Sequence, residues 1–128
     1  MALTGSFYQD GILTIRGEGT ITPDDAKTIA ADINARAIIS GVPVVVLLDL
    51  SRINRIASAA HILFSDAARS GKVNALVCVT NHPNTTQSVR AIMALSERDR
   101  VHIFDSMREA HLFARVSAHN AQAAVAIA

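Results

Sequence analysis

A lone cysteine, no tryptophan and only three prolines in 128 residues remove whole classes of protein before any motif is read. With Cys78 as the sole thiol no internal disulfide forms, and five scattered histidines without cysteine neighbours give no structural-zinc spacing. A reducing, cytoplasmic setting is the expectation. One Tyr and four Phe are too few for the aromatic platform on which single-stranded nucleic acid stacks. Charge of one sign is lacking too, since 12 Lys plus Arg stand against 11 Asp plus Glu. The balance is five basic to six acidic residues up to Phe64 and seven to five after it. Such a chain has no general attraction to a phosphate backbone, so nucleic acid is not an expected partner. No apolar run approaches the roughly 18 residues that span a bilayer, and residues 1–10 hold no basic segment leading into an apolar one. Membrane insertion and secretion are therefore not expected.

What is present is one domain's worth of apolar residues, half of the composition. The order of signals is βαβ. Residues 6–9 and 12–17 flank Asp10-Gly11, a pair that accepts the positive φ angles of a tight hairpin turn. Thr22-Pro23-Asp24-Asp25 then supplies a capping hydroxyl, a proline at the first helical position and two carboxylates facing the positive helix end. Ala26, Ile29, Ala30, Ile33 and Ala37 follow at helical spacing, closed by Gly41 and Pro43. Residues 44–48 are a continuous apolar run ending at Asp49, the pattern of a strand buried on both faces. A second helix is expected over about residues 57–70, with Gly71 as its left-handed terminator. A strand follows over 73–80, a third helix over 85–97 and a charged turn at 97–100, leading to a strand over 101–104. Ser106-Met107-Arg108-Glu109 has capping-box spacing for a fourth helix to about Ser117. The expected fold is α/β: a mixed sheet of four to five strands with an opening β-hairpin and helices packed on it. It occupies residues 1–118, and 119–128 form an uncharged Ala-rich tail that reads equally as helical extension, loose end or docking segment.

Three stretches carry a family resemblance: Ile12-Leu13-Thr14-Ile15-Arg16-Gly17-Glu18, then Val45-Val46-Leu47-Leu48-Asp49-Leu50-Ser51, then Val101-His102-Ile103-Phe104-Asp105-Ser106-Met107-Arg108-Glu109-Ala110. In this order and spacing the chain resembles the STAS domain of bacterial anti-sigma-factor antagonists, from about Phe7 to Val116. The resemblance implies a regulatory module that acts by binding, with an anti-sigma-factor-like kinase as a protein partner. In regulatory members an Asp-Ser-Ser-Gly type sequence follows Asp-Leu-Ser, and one of its serines is phosphorylated. Here the stretch is Arg52-Ile53-Asn54-Arg55-Ile56-Ala57-Ser58: Asn54 stands near the Asp, Arg55 where a Ser belongs, and Ser58 is the nearest hydroxyl. This departure resembles the divergent STAS relatives grouped with the lipid-carrying CRAL-TRIO fold, which implies a small apolar ligand as the alternative to a protein partner.

The residues themselves place a candidate surface where the central strand meets the second helix. Asp49 ends the buried strand, where ligands of open α/β sheets sit; it reads equally as the cap of the turn 50–54. Ser51, Arg52, Asn54 and Arg55 follow on that turn, the arginines suited to an anionic ligand or a partner carboxylate, or simply solvated. Ser58 is a possible phosphoacceptor at a helix start, or an ordinary early-turn residue. Thr80, Asn81 and His82 end the next strand and are expected alongside. Cys78 reads as an inert core thiol. No nucleophile elbow, Cys/His pair or complete phosphate loop is present: Gly17-Glu18-Gly19 lacks the third glycine. The expectation is a non-enzymatic binding module with no cofactor and no metal, with a homodimer as one possible assembly. The rivals are a receiver-like domain phosphorylated on Asp49, for which Asp24-Asp25 and the lysines are misplaced, and a small enzyme of another kind.

Overall fold

The computed structural model describes residues 3–96 and 99–127. Met1, Ala2, Glu97, Arg98 and Ala128 lie outside it, and with them part of the expected charged turn. Seven strands and four helices alternate along these residues. The hairpin forms as its turn chemistry requires: β1 (Leu3–Gln9) and β2 (Ile12–Gly17) pair antiparallel, and Asp10 and Gly11 both take positive φ, 54° and 80°. After a short strand β3 (Gly19–Ile21), α1 (Pro23–Ser40) opens on a complete capping box. The Asp25 amide donates to Thr22 Oγ1 at 3.2 Å, and the Thr22 amide donates back to Asp25 Oδ2 at 2.9 Å. Gly41 ends the helix at φ 69°, its amide returned to the Ala37 carbonyl.

The continuous apolar run is β4 (Val44–Asp49), the middle of a five-stranded sheet ordered β1-β2-β4-β6-β7, with β6 at Val73–Val79 and β7 at Val101–Phe104. Only the β1–β2 pair is antiparallel, so the sheet is mixed. Alternation along β4 divides the core. Val44, Val46 and Leu48 join Leu13, Ile15, Ile29, Ile33, Phe64 and Leu76 under the helices of one face. Val45 and Leu47 join Ile12, Ala75, Val77 and Val79 under α4 (Met107–Ile127) on the other. Alanines at 110, 114, 118 and 121 are the buried residues of α4, so this helix lies close on the sheet.

Several local expectations are corrected. The stretch 53–56 is a strand, β5 (Ile53–Ile56), which pairs in parallel with β3 in a separate two-stranded sheet. Gly71 is not the left-handed terminator of α2 (Ser58–Arg69): that helix ends on Ser70 in extended conformation, its amide returned to the Asp66 and Ala67 carbonyls. Helix α3 (Pro83–Ser96) starts two residues earlier than its polar composition suggests. Helix α4 continues ten residues past Ser117, because alanine has the highest helix propensity and nothing in 118–127 breaks the turn.

The α4 face also sets a pH response. His102 lies 4.4 Å from the Phe113 ring centre, and burial holds its pKa below the ordinary 6.5, while the Asp99 carboxylate pulls the other way. The unfolded chain therefore takes up a proton near pH 6.5 and the folded chain only lower, so this contribution is complete above 6.5 and lost as the pH falls towards the folded value. Urea midpoints at about pH 7.5 and about pH 5.5 will differ less in His102→Leu than in the wild type. Equal differences would show that His102 carries none of the response.

Candidate functional site

The carboxyl ends of β2 and β4 lie side by side, with Arg16 and Asp49 in register. Both belong to the alternating set of positions on the α4 face. Arg16 Nε stands 3.8 Å from Asp49 Oδ2. The other carboxylate oxygen, Oδ1, accepts the Ser51 amide at 3.2 Å and the Ser51 hydroxyl at 2.7 Å. Asp49 thus both caps its turn and reaches the neighbouring strand. The turn is fixed from below as well: the Leu50 amide donates to the Val79 carbonyl at 2.8 Å and the Ile53 amide to the Leu50 carbonyl at 3.0 Å.

One residue further, Arg52 leaves the turn and its Nη1 meets Glu18 Oε1 at 3.1 Å, while the Gly19 amide donates to the Arg52 carbonyl at 3.0 Å. The two ion pairs bound a cleft of about 410 Å³ lined by Thr4, Arg16, Gly17, Glu18, Asp49, Ser51 and Arg52. Two cations and two anions leave the cleft formally neutral, and the exposed Arg52–Glu18 pair contributes little to stability. Three residues expected from the sequence, Asp49, Ser51 and Arg52, meet here. Arg16, Glu18 and Thr4 come from another part of the chain and were not anticipated as site residues.

The remaining candidates divide into two groups. Asn54 and Arg55 are exposed on β5, where Arg55 is in register with Thr20 of β3. Ser58 is the exposed first residue of α2. The N-cap there is Ala57, which has no side-chain acceptor to offer the first-turn amides. Thr80, Asn81 and His82 take no part in lining the cleft. Thr80 is buried, with its amide on the Phe104 carbonyl and its hydroxyl 3.3 Å from that of Thr86. The His82 carbonyl accepts both the amide and the hydroxyl of Thr86, which starts α3. Asn81 is exposed on the connecting loop. These residues build a helix start, and α3 is tied to the ribbon by the buried Thr85 hydroxyl donating to the Ile53 carbonyl at 2.6 Å.

The other reactive side chains are placed apart from this surface. Cys78 is enclosed in the core, and burial pushes its thiol up to about 12. Asp25 is committed to the capping box, so the acidic pair at 24–25 starts α1 and does not face Asp49 across the sheet. Among the described residues no three His, Cys, Asp or Glu side chains gather into a metal-binding group. No helix among them is long and apolar enough to cross a membrane.

No family model matches the chain, and no curated protein matches it. Solved structures do. The anti-sigma factor antagonist SpoIIAA in its unphosphorylated form superimposes with a TM-score of 0.64 at 14% identity, over 90% of this chain and 97% of its own. The fold is STAS-like. An anti-sigma factor antagonist from Mycobacterium paratuberculosis gives the same TM-score, 0.64, at 17% identity, over 89% of this chain and 95% of that one. An uncharacterized protein with a SpoIIAA-like fold from Shewanella loihica PV-4 gives 0.60 at 13% identity, covering 88% and 91% of the two chains. The match spans nearly the whole of each relative, so the STAS-like architecture covers this chain's sheet and its helices together.

Proposed function

We propose that this STAS-like domain is a non-catalytic regulatory module that recognises a protein partner through the surface running from Asp49 to Ser58. The observation that supports it is the arrangement at the ribbon. On a fold shared with anti-sigma factor antagonists, Arg52, Asn54, Arg55 and Ser58 are all exposed between two firmly packed segments, β4 and α2. A buried scaffold that displays a short polar connection, here a turn and the short strand β5, is the usual construction of a recognition surface. The chemistry suits a partner carrying carboxylates or phosphate, because the exposed Arg52 and Arg55 lie on the segment that leads into a helix start with no side-chain cap. Ser58 is the residue that an anti-sigma-factor-like kinase would modify. A phosphate on it would sit at the positive end of α2 and accept the first-turn amides that Ala57 leaves without a side-chain acceptor.

A second reading rests on the cleft. Its paired charges, Arg16 with Asp49 and Arg52 with Glu18, fit a small zwitterionic ligand that exchanges with both pairs. The two readings separate cleanly. Arg52→Glu with Arg55→Glu will weaken partner binding by tenfold or more, on the order expected for reversing interface charges, with little change in thermal midpoint because both residues are exposed. Equal binding by the double variant and the wild type, measured calorimetrically with an anti-sigma-factor-like kinase, would move the interface elsewhere. Phosphopeptide mass spectrometry after incubation with that partner and ATP will place the phosphate on Ser58; a phosphate on Ser51 instead would shift the regulatory residue into the cleft. A small ligand will appear as non-covalent added mass in native mass spectrometry, lost when Arg16 and Glu18 are both replaced by Ala.

A further inference from the structure

A second surface, remote from the ribbon, has the features of a self-pairing edge. Strand β1 lies at the end of the five-stranded sheet, and among the described residues no other strand pairs with it on its outer side. Edge strands are normally blunted by shortness, charge, proline or a bulge. The opposite edge, β7, has four residues; β1 has seven, Leu3-Thr4-Gly5-Ser6-Phe7-Tyr8-Gln9, with no charged residue and no proline, and its one register shift is at the far end, between Leu3 and Gly5. Gln9 and Ile12 close the two-residue turn as a hydrogen-bonded pair, so Phe7 also directs its backbone groups inward and Ser6 and Tyr8 direct theirs outward.

We propose that β1 pairs antiparallel with β1 of a second copy about a two-fold axis at Ser6, joining two five-stranded sheets into one of ten strands. The occupant is argued from self-complementarity. An axis at Ser6 sets Phe7 opposite Gly5 of the second copy, in a non-hydrogen-bonded pair where side chains approach most closely. Phe7 is 53% exposed, and nothing lies within 4 Å of where a Cβ on Gly5 would stand, so each ring covers the other copy's glycine. The same axis sets Tyr8 opposite Thr4. Arg36 lies over the Tyr8 ring, 5.2 Å from its centre, and Asp32 lines a cleft of about 320 Å³ with Thr4, Gly5 and Ser6. The two-fold therefore brings Arg36 of one copy towards Asp32 of the other, twice. Within one chain these residues already form an i,i+4 pair at 3.5 Å, so pairing closes a four-charge ring.

Sedimentation velocity over a concentration series up to about 100 μM tests this. The wild type will dimerise within that range. Ser6→Pro removes a donor at the axis without touching the hairpin's inner hydrogen bonds, and will raise the dissociation constant tenfold or more with unchanged far-UV circular dichroism. Arg36→Glu sets carboxylates against Asp32 of the second copy and will weaken the dimer on the order of tenfold. Asp32→Arg with Arg36→Glu exchanges the two signs and will restore it, a rescue that a defect in folding would not show. A wild type that remains monomeric throughout overturns the proposal, including one that takes up a strand from a different protein. So does a dimer unaffected by Ser6→Pro. Failure of the charge exchange to rescue a dimer that Arg36→Glu has weakened overturns the Ser6 axis.

Discussion

Leu47→Ala will destabilise the protein by about 2–5 kcal/mol, the range for deleting a leucine side chain from a packed core. Leu47 is 1% exposed on the α4 face of the central strand. Its neighbours there are Ile12, Val45, Ala75, Val77 and Val79 in the sheet and Ala110, Ala114 and Ala118 on the helix. Branched strand residues are held at their χ1 and alanines have no rotamer to change, so little around the site can move into the space. The cavity term therefore adds to the lost transfer free energy. In urea the midpoint will fall while the slope stays at the wild-type value, and Leu47→Met, which keeps the volume, will cost less than about 1.5 kcal/mol. A midpoint unchanged in Leu47→Ala would remove β4 from the core.

Enlarging the other side of the same contact will have the second effect. Ala114 is fully buried, and α4 packs on β4 and β6 at that level. A leucine there meets a sheet anchored on both sides by parallel neighbours, so the helix must lift or the side chain must leave its preferred rotamers, at a cost of about 1–3 kcal/mol. The position has a second readout. Lifting α4 draws Phe113 away from His102 and Phe104, whose rings it now meets at 4.4 and 5.5 Å between centres. The imidazole gains water, and its pKa moves up towards 6.5 from the lower value that burial imposes. Proton NMR titration of His102 in Ala114→Leu will show that rise. A stable variant with an unmoved titration would mean that α4 and the sheet have slack at this point.

The strongest elements were legible in the sequence because each was over-determined. Residues 44–48 leave no polar position for a solvent-facing side, and Thr22-Pro23-Asp24-Asp25 states a helix start three ways. The ribbon was not legible. Strands β3 and β5 have three and four residues, too short for a period to show, and among the described residues each pairs only with the other. The end of α4 stays open in the sequence for a different reason: residues 118–127 carry no charge and no capping signal, so little beyond alanine's propensity speaks for the helix. At the site, Asp49, Ser51 and Arg52 follow one strand and could be read together. Arg16 and Glu18 reach them through the adjacency of β2 and β4, which is a property of the sheet order and not of any local spacing.

That two-stranded ribbon has a mechanical consequence. Strand β3 leads straight into the capping box of α1, and β5 leads through Ala57 into Ser58. The parallel pairing of the two strands ends in one further hydrogen bond, the Ala57 amide to the Ile21 carbonyl at 2.9 Å. Two helix starts more than thirty residues apart in sequence are thus joined through the ribbon, whose last hydrogen bond lies next to the serine proposed as phosphoacceptor. A charge added at Ser58 that turns the Ala57 peptide would open the ribbon from that end, and hydrogen exchange at the Ala57 amide would register the release before any helix had moved.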